Sequence, residues 1–417
     1  GIFSVLCGFA GTLGWLVVFR LGQGLCGGPL MPLTQTLMLR IFPRSMHPKA
    51  MALWGMTVVT APILGPILGG TISDNWSWEW IFFINVPIVA VLLAAVVVLL
   101  RGSETPTVKL PIDFVGLGLL VIWVGALQMM LDLGREEDWF ASPTIVALAV
   151  TAAIFFCAFL IWELTDKHPI VDLSVFRHRG YTASVLALMI GFGTYFSSVV
   201  VIPQFLQMTM GYTATQAGFA MAMSGVLAVL GSPFVPRLMQ RFDPRLLVFV
   251  GIGWMGLCSL TRIWWTTDST FWQFAYPQLI QGLGMSLFMV PLTTISLASV
   301  DPRETASAAG LANFGRTLAG AAATALVTTA WSDMARSDGA ELSGVLNGAD
   351  TVSTAMQAGG FSAGQARETM AQLVAQQGMA TATAHLFAIS SVALFLAACA
   401  IWLAPRPARA VSPAAGH

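Results

Sequence analysis

Three arginines interrupt long apolar segments of this sequence: Arg20, Arg262 and Arg316. A guanidinium is costly in hydrocarbon, so such a residue usually faces an interior cavity or a partner and serves ion or substrate binding. Arg316 lies deep within the segment 305–330, which predicts an interior role. Arg262 lies close to the end of its segment, so we expect its head group to snorkel to water. Arg20 lies a turn or two inside its segment, and either explanation applies to it.

Carboxamides form a second set of candidates for binding. Gln204 and Gln207 stand three residues apart, on one face of a helix, where they could contact a substrate or cap a loop. Asn313 and Arg316 are likewise three residues apart, on one face of a helix. These polar side chains in apolar surroundings are candidates for substrate contact or another interior polar role. Two further amides in apolar segments belong to the same set, Gln278 and Gln281.

Enzymatic chemistry finds no support in the sequence. The five histidines show no spacing typical of metal ligands. There is no nucleophile elbow, no phosphate-binding loop and no HExxH motif. We therefore expect no enzyme, no metal and no cofactor, and an ATP-driven pump is disfavoured.

Residues 62–70 are rich in glycine and proline. Small residues recur every four positions from Thr57 to Ser73, and Gly65 and Gly69 lie on that face. Such a face lets a neighbouring membrane helix approach closely. The prolines Pro62 and Pro66 remove backbone hydrogen bonds and can bend the helix. Ordinary tight packing and a gate or seal at the outer end both fit this pattern, which also includes Gly70.

The composition indicates whether these segments lie in water or in lipid. Of 417 residues, 56% are hydrophobic and only 10% are charged, and the net charge is zero. Soluble domains carry roughly 25% charged residues, so a soluble enzyme is excluded. A neutral chain offers no basic patch for nucleic acid. We expect an all-α integral membrane protein.

About twelve segments are long or apolar enough to be membrane spans or, at the start, part of one. Fourteen of the twenty basic residues lie in the loops on one side, which the positive-inside rule places in the cytoplasm together with the C-terminus. We expect a long outer loop over 332–380, either a docking surface or tolerated length, with a short helix over 362–377 capped by Ser362. The segments are 1–12, 15–39, 51–73, 81–100, 114–133, 143–162, 182–207, 214–236, 246–266, 272–298, 305–330 and 382–404.

A short internal repeat suggests a duplicated bundle. Gln23-Gly24-Leu25 and Gln281-Gly282-Leu283 are each followed by Pro-Leu-Thr, and a Pro-Arg pair stands in each following loop. Duplicated bundles place a substrate site near the midplane between the halves. The repeat aligns Arg20 with Gln278, which predicts a charge for ion coupling in one half and a neutral amide for substrate contact in the other.

The combined motifs resemble the major facilitator superfamily, and within it the fourteen-span drug:proton antiporters. The resemblance runs over essentially the whole chain. Its motifs lie at residues 20–24, 65–70, 78–87, 203–207, 211–214 and 313–316.

The resemblance implies two pseudo-repeated helical bundles with two extra central helices. Residues 1–100 would form an incomplete N-terminal bundle, 101–180 a linker with the extra pair, and 181–417 a six-helix C-terminal bundle. It also implies that Arg20, Gln23 and Gly24 belong to a motif for proton coupling and that the Gly-Pro helix marks antiporters.

The function implied is export of hydrophobic drugs or toxic compounds in exchange for protons across a bacterial inner membrane. A periplasmic adaptor and an outer-membrane channel are implied partners, besides substrate, protons and lipid. Compared with the family, this sequence lacks the first two spans, one of which carries an acidic residue, and its third span is shortened. We therefore expect a membrane acid upstream as the partner of Arg20. Two alternatives stay open: an exporter of one endogenous metabolite, and a non-transporting membrane scaffold.

Overall fold

Helices make up every regular element in the part of the chain that the computed structural model describes, which is residues 1–99, 113–166, 169–301, 303–345 and 349–405. The first residues of the predicted region 101–180, up to residue 112, lie outside these residues, as do the last twelve residues of the chain. All twelve predicted segments coincide with helices.

The first part of the chain forms six helices. One predicted span, 15–39, is divided at Gly28 and Pro29. The proline has no N–H to donate, so one hydrogen bond of the helix is missing there. Gly28 still donates to the carbonyl of Gly24, at 2.8 Å, so the two pieces follow each other closely. The helices are α1 (Ile2–Gly8), α2 (Leu13–Gly27), α3 (Leu30–Ile41), α4 (His47–Asn75), α5 (Trp80–Phe83) and α6 (Asn85–Leu99).

Two central helices follow, α7 (Phe114–Leu133) and α8 (Pro143–Thr165). The side chain of Asp113 caps α7 by accepting a hydrogen bond from the N–H of Gly116. Aromatic rings hold the pair together and join it to the second half. Trp123 on α7 contacts Phe156 on α8 at 5.0 Å between ring centroids, and Phe314 farther along the chain at 6.0 Å.

The second half contains eight α-helices. Short 3-10 turns connect some of them, including Leu173–Arg177 before the first and Arg262–Trp264 in the middle. The helices are α9 (Arg179–Met208), α10 (Ala214–Gly231), α11 (Val235–Arg241), α12 (Pro244–Thr261), α13 (Phe271–Ala298), α14 (Thr305–Val345), α15 (Ala349–Ala358) and α16 (Ala363–Ala400).

Nine helical stretches among the described residues are long and apolar enough to cross a membrane. Three further predicted segments, 1–12, 51–73 and 305–330, correspond to α1, α4 and α14 and are not among the nine. The chain is thus a multi-span, all-helical membrane protein.

The predicted long loop 332–380 is mostly helix, which corrects that interpretation. Helix α14 continues to Val345, and α16 runs without interruption from Ala363 into the last span. Ser362 caps α16 as expected, but the helix does not end at 377. At 1.5 Å per residue these helices are roughly 60 Å long, about twice the hydrocarbon core of a bilayer. They therefore extend beyond the membrane as a helical hairpin.

Close contact between small residues lets the two arms of this hairpin pack together. A Cβ atom added to Gly378 on α16 would lie 2.9 Å from the backbone nitrogen of Gly339 on α14. Nearer the membrane, the indole of Trp331 donates a hydrogen bond to Thr383 at 2.9 Å. The hairpin is therefore a packed element.

Helix α4 joins the first half to the main core. Trp54 and Val58 on α4 are buried in a cluster with residues of α9, α10, α12, α13 and α16. At one end of α4, Met51 is buried with Tyr181 of α9 and Ala308 of α14. The space between the halves is consequently bordered by α3 and α4 on one side and by α9, α13 and α14 on the other.

Candidate functional site

A cavity with both polar and apolar lining residues lies between the two halves. Helices α3 and α4 contribute Gln35 and Trp54, while α9, α13 and α14 contribute the other lining residues. The space open to the centre of a water molecule is about 20 Å³, room for a single water. Drug-sized ligands occupy pockets of about 300–1,000 Å³, so the cavity is closed around its polar groups. Its polar lining residues are Gln35, Ser184, Thr293, Ser296, Asn313 and Arg316.

Arg316 supplies the charge of this cavity. Its side chain is only 8% exposed, and its guanidinium carbon lies 5.0 Å from the ring centroid of Phe192. Among the described residues it forms no ion pair and donates no hydrogen bond to another side chain or carbonyl. The hydroxyl groups of Ser184 and Ser296 are likewise buried without a hydrogen-bond partner. An unpaired cation and two free hydroxyls thus line one small space.

Asn313 connects the cavity to the first half. Its Nδ2 donates to Gln35 Oε1 at 3.2 Å and to the carbonyl of Ala309 at 2.8 Å. Gln35 is almost fully buried, although the sequence analysis did not select it. The sequence feature that could have identified Gln35 is its position in an apolar stretch, between two threonines.

Arg20 lies on α2, away from this cavity. Its Nη1 donates to Gln23 Oε1 at 3.0 Å, and Gln23 Nε2 donates to Ser4 Oγ at 2.8 Å. The guanidinium carbon lies 5.0 Å from the ring centroid of Phe82. No acidic residue of the described chain pairs with Arg20, whose side chain is exposed. Gly24 stands on the same helix, and an added Cβ there would meet no described atom within 4 Å.

Gln278 and Gln281 bind a buried arginine and do not line the cavity. Both amide oxygens accept hydrogen bonds from Nη2 of Arg262, at 3.0 Å for Gln278. Arg262 is fully buried, with its guanidinium carbon 5.0 Å from the ring centroid of Phe387. The expectation that Arg262 snorkels to water is therefore wrong. The surrounding aromatic rings of Trp265 and Phe387 close over the end of the segment.

The amides of Gln204 and Gln207 lie outside the cavity lining. Gln207 is exposed and donates to the carbonyl of Pro203 in its own helix, at 3.2 Å. Gln204 is half-buried. The structure thus separates these two residues from Asn313 and Arg316.

The glycines of α4 differ in what they contact. A Cβ added to Gly70 would lie 2.7 Å from the carbonyl oxygen of Ala214, so α4 and α10 touch there. An added Cβ at Gly65 or Gly69 would meet no described atom within 4 Å. Pro62 and Pro66 lie within the helical run of α4. The close approach of another helix to α4 is therefore at Gly70, beside the predicted small-residue face, whereas a Cβ at Gly65 or Gly69 on that face would contact no described atom.

A hydrogen-bonded contact accompanies this approach. Asp74 Oδ2 accepts from the backbone N–H of Thr215 at 2.9 Å and from its hydroxyl at 2.6 Å. Asp74 lies just beyond the predicted span 51–73, and these hydrogen bonds hold the pKa of its carboxyl below the ordinary value. The start of α10 is thereby fastened to the end of α4.

One group of possible metal ligands occurs among the described residues. Oxygen and nitrogen atoms of His178, Asp301 and Glu304 lie within 4.8 Å of one another. The guanidinium of Arg177 occupies the same group, 2.5 Å from Glu304 and 3.6 Å from Asp301. Because a cation already neutralises these acids, the group is an ion-pair cluster.

The central pair of helices holds a buried acid that the sequence analysis missed. Glu163 in the last turn of α8 is only 4% exposed. Its Oε2 accepts a hydrogen bond from the N–H of Val171 at 3.1 Å. The signal was a single acid at the end of an apolar run, one residue past the predicted end of the span.

Known proteins share this fold and much of this sequence. The family model described as Major Facilitator Superfamily matches residues 1–324. The crystal structure of a bacterial homolog of the human lysosomal transporter Spinster, in an inward-facing and occupied conformation, superposes with a TM-score of 0.53. That superposition covers 97% of this chain and 79% of the other, at 16% identity.

Curated relatives are considerably closer in sequence. The multidrug export protein EmrB of Escherichia coli K12 is 41% identical over 411 residues, which is 97% of this chain and 80% of that protein. The fatty acid resistance protein FarB of Neisseria gonorrhoeae is 40% identical over 410 residues, or 97% and 81%. The probable multidrug resistance protein EmrY of E. coli K12 is 37% identical over 409 residues, or 97% and 80%.

Proposed function

Because this chain belongs to the major facilitator superfamily and resembles its EmrB-type exporters throughout, we propose that it is a proton-coupled antiporter exporting hydrophobic drugs or toxic compounds. The observation that carries the proposal is the cavity between the halves, with the unpaired cation of Arg316. Transporters built from repeated bundles bind substrate at such an interface and alternate access by rocking. Membership in a transporter family also implies a protein that is not an enzyme and needs no cofactor.

The chemistry of the cavity favours amphipathic cargo with an anionic group. Arg316 and the two free serine hydroxyls offer donors, while Trp54, Leu188 and Met289 offer apolar surface. A buried arginine without a counter-ion gains most from an anion that enters as its partner. One relative is named for fatty acid resistance, and fatty acids have this composition. The alternative, export of one endogenous metabolite, predicts a single accepted compound.

Proton coupling is assigned in this proposal to the group on α2. Arg20, Gln23 and Ser4 form a continuous chain of hydrogen bonds from α2 to α1. The guanidinium of Arg20 would stabilise the carboxylate of an acid placed beside it after proton release, and would so favour that release. Gly24 leaves a neighbouring helix free to approach the same face.

Alternation in this proposal uses the contact of α4 with α10. Gly70 against Ala214, and Asp74 against Thr215, form the closure at the predicted outer end. Residues 1–100 and 181–417 would move as two bundles about this line, with α7 and α8 between them.

The setting is proposed to be a bacterial inner membrane, with the C-terminus in the cytoplasm. The hairpin formed by α14 and α16 would then reach outward, where a periplasmic adaptor leading to an outer-membrane channel could meet it. The alternative of a non-transporting scaffold assigns the hairpin the same contact without any transport.

Transport by the natural full-length protein in proteoliposomes tests the proposal. An imposed pH gradient should drive uptake of a fluorescent hydrophobic carboxylate, and Arg316→Ala should reduce the rate at least tenfold. Arg336→Ala, which removes an exposed arginine paired with Asp333, is the control and should transport normally. Transport of one metabolite alone would favour the second exporter hypothesis. An absence of gradient-driven movement for every compound would support the scaffold.

A further inference from the structure

The inner end of the central helix pair holds two carboxyl groups that face each other. Asp113 caps the first turn of α7, and Glu163 lies in the last turn of α8. A Cβ atom placed on Gly116 would lie against Asp113 Oδ2 and 2.8 Å from Glu163 Oε1. Both carboxyl oxygens therefore flank the same point above the Gly116 backbone.

The two carboxyl groups differ in how well their charge is compensated. Asp113 accepts two hydrogen bonds, from the N–H of Gly116 at 2.8 Å and from the indole N–H of Trp162 at 3.0 Å. Glu163 accepts one hydrogen bond through Oε2, and its Oε1 is buried without any partner. The arrangement suits an ionised Asp113, while half of the Glu163 carboxyl has nothing to stabilise a negative charge.

The surroundings of Glu163 also oppose its ionisation. The charged groups of the described residues that face it are Asp113 from α7 and Asp166 at the end of its own helix, both negative. Val171, in the segment that follows α8, contributes a backbone N–H to Glu163 Oε2. No arginine or lysine of the described residues forms an ion pair with Glu163. A buried carboxylate facing a second carboxylate is unfavourable, so a proton is the ligand that this site takes.

We propose that Asp113 and Glu163 form a proton-binding site in which Glu163 carries the proton. The hydrogen on Glu163 Oε1 supplies the donor that is missing between the two carboxyl groups, and it points to Asp113 Oδ2. Loss of this proton leaves two negative charges on the facing ends of α7 and α8. No other residue of the site needs to change its protonation state.

The position of the site gives the proton a mechanical consequence. Glu163 holds Val171, and the chain runs from there through Leu173–Arg177 directly into α9, the first helix of the second half. Proton loss would weaken the packing of α7 against the end of α8, because the two carboxylates would repel each other. Occupancy of the site therefore controls how firmly α7 packs against α8, the helix that leads into the second half, separately from the group around Arg20.

Infrared spectroscopy of the full-length natural protein tests the proposal without relying on transport. A protonated carboxyl gives a carbonyl stretching band that an ionised one lacks. At pH 7 the wild-type protein should show such a band that is lost in Glu163→Gln and retained in Glu136→Gln, a matched change at an exposed acid. In Asp113→Asn the band should disappear at a pH lower by about one unit or more, since a facing negative charge has been removed.

Three results would overturn the proposal. One is an unchanged set of protonated-carboxyl bands in Glu163→Gln. Another is an unchanged pH at which the band disappears in Asp113→Asn. The third is failure of Glu163→Gln to fold at pH 7, because glutamine matches the protonated acid in shape and would be tolerated if the native group were neutral. A fully active Glu163→Gln whose bands behave as expected would support the site and leave the export proposal unaffected.

Discussion

The Nδ2 group of Asn313 on α14 donates a 3.2 Å hydrogen bond to Oε1 of Gln35 on α3. This bond joins side chains 278 positions apart, across the line between the two halves and beside the cavity that contains Arg316. The bond therefore contributes to the stability of the closed cavity and must break if α3 and α14 separate.

Breaking this hydrogen bond should favour separation of α3 from α14. A hydrogen bond of this kind contributes about 1 kcal/mol, so Gln35→Ala should raise the population with the halves apart about fivefold. Distances between spin labels on α3 and α14 measure this. Thr36→Ala is the control, since its hydroxyl bonds only to Pro32 in its own helix. Equal distance distributions in both variants would contradict the prediction.

Removal of the buried Arg262 should strongly destabilise the second half. Arg262→Ala leaves the amide oxygens of Gln278 and Gln281 without their donor and opens a cavity beneath Phe387. Loss of one partner from a buried charged network costs about 3–5 kcal/mol. Thermal unfolding in detergent should show a large decrease in Tm, whereas the exposed Arg336→Ala should shift Tm very little. A small shift for Arg262→Ala would refute the buried position.

Substitution of two glycines on α4 should have unequal effects. Gly70→Ala forces a methyl group to within 2.7 Å of the Ala214 carbonyl oxygen, while Gly65→Ala places one where no described atom is within 4 Å. Overpacking of this kind costs about 1–3 kcal/mol. Gly70→Ala should therefore lower the stability and the transport rate, with Gly65→Ala as its matched control. Equal behaviour of the two variants would argue against the α4–α10 contact.

The contact between Asp74 and Thr215 should be insensitive to pH between 5.5 and 8. Hydrogen bonds lower the pKa of Asp74 below its ordinary value of 3.8, so the contribution of the contact to stability is fully present above that value. It is lost only as the pH falls through the lower pKa of the folded protein. The distance between spin labels on the ends of α4 and α10 should be the same at both pH values. Opening of this contact at pH 5.5 would contradict the assignment.

The apolar segments could be predicted from the sequence because their length and composition reflect the membrane itself. Each of the twelve overlaps one or two α-helices, and the family resemblance was confirmed by the relatives. Arg316 was expected in the interior on the basis of depth alone, and it is nearly buried. These predictions needed only local information.

Other features depended on contacts that are distant in sequence. Arg262 lies near a segment end, and only the folded positions of Phe387 and Gln281 show that it is buried. Gln35 gained its role from Asn313, far along the chain. The hairpin arms of 332–380 are rich in alanine and glutamine, so they lack the apolar periodicity that announces a packed helix, and their packing depends on Gly378.

The continuity of α14 and α16 beyond the bilayer has a mechanical meaning. Both helices pass through the second half without interruption at the membrane surface, so the hairpin is rigidly attached to that half. A small tilt of the bundle is therefore magnified at the tip, as in a lever arm. The displacement of a fluorophore on the connecting helix α15 would therefore report the direction in which the bundle tilts inside the membrane.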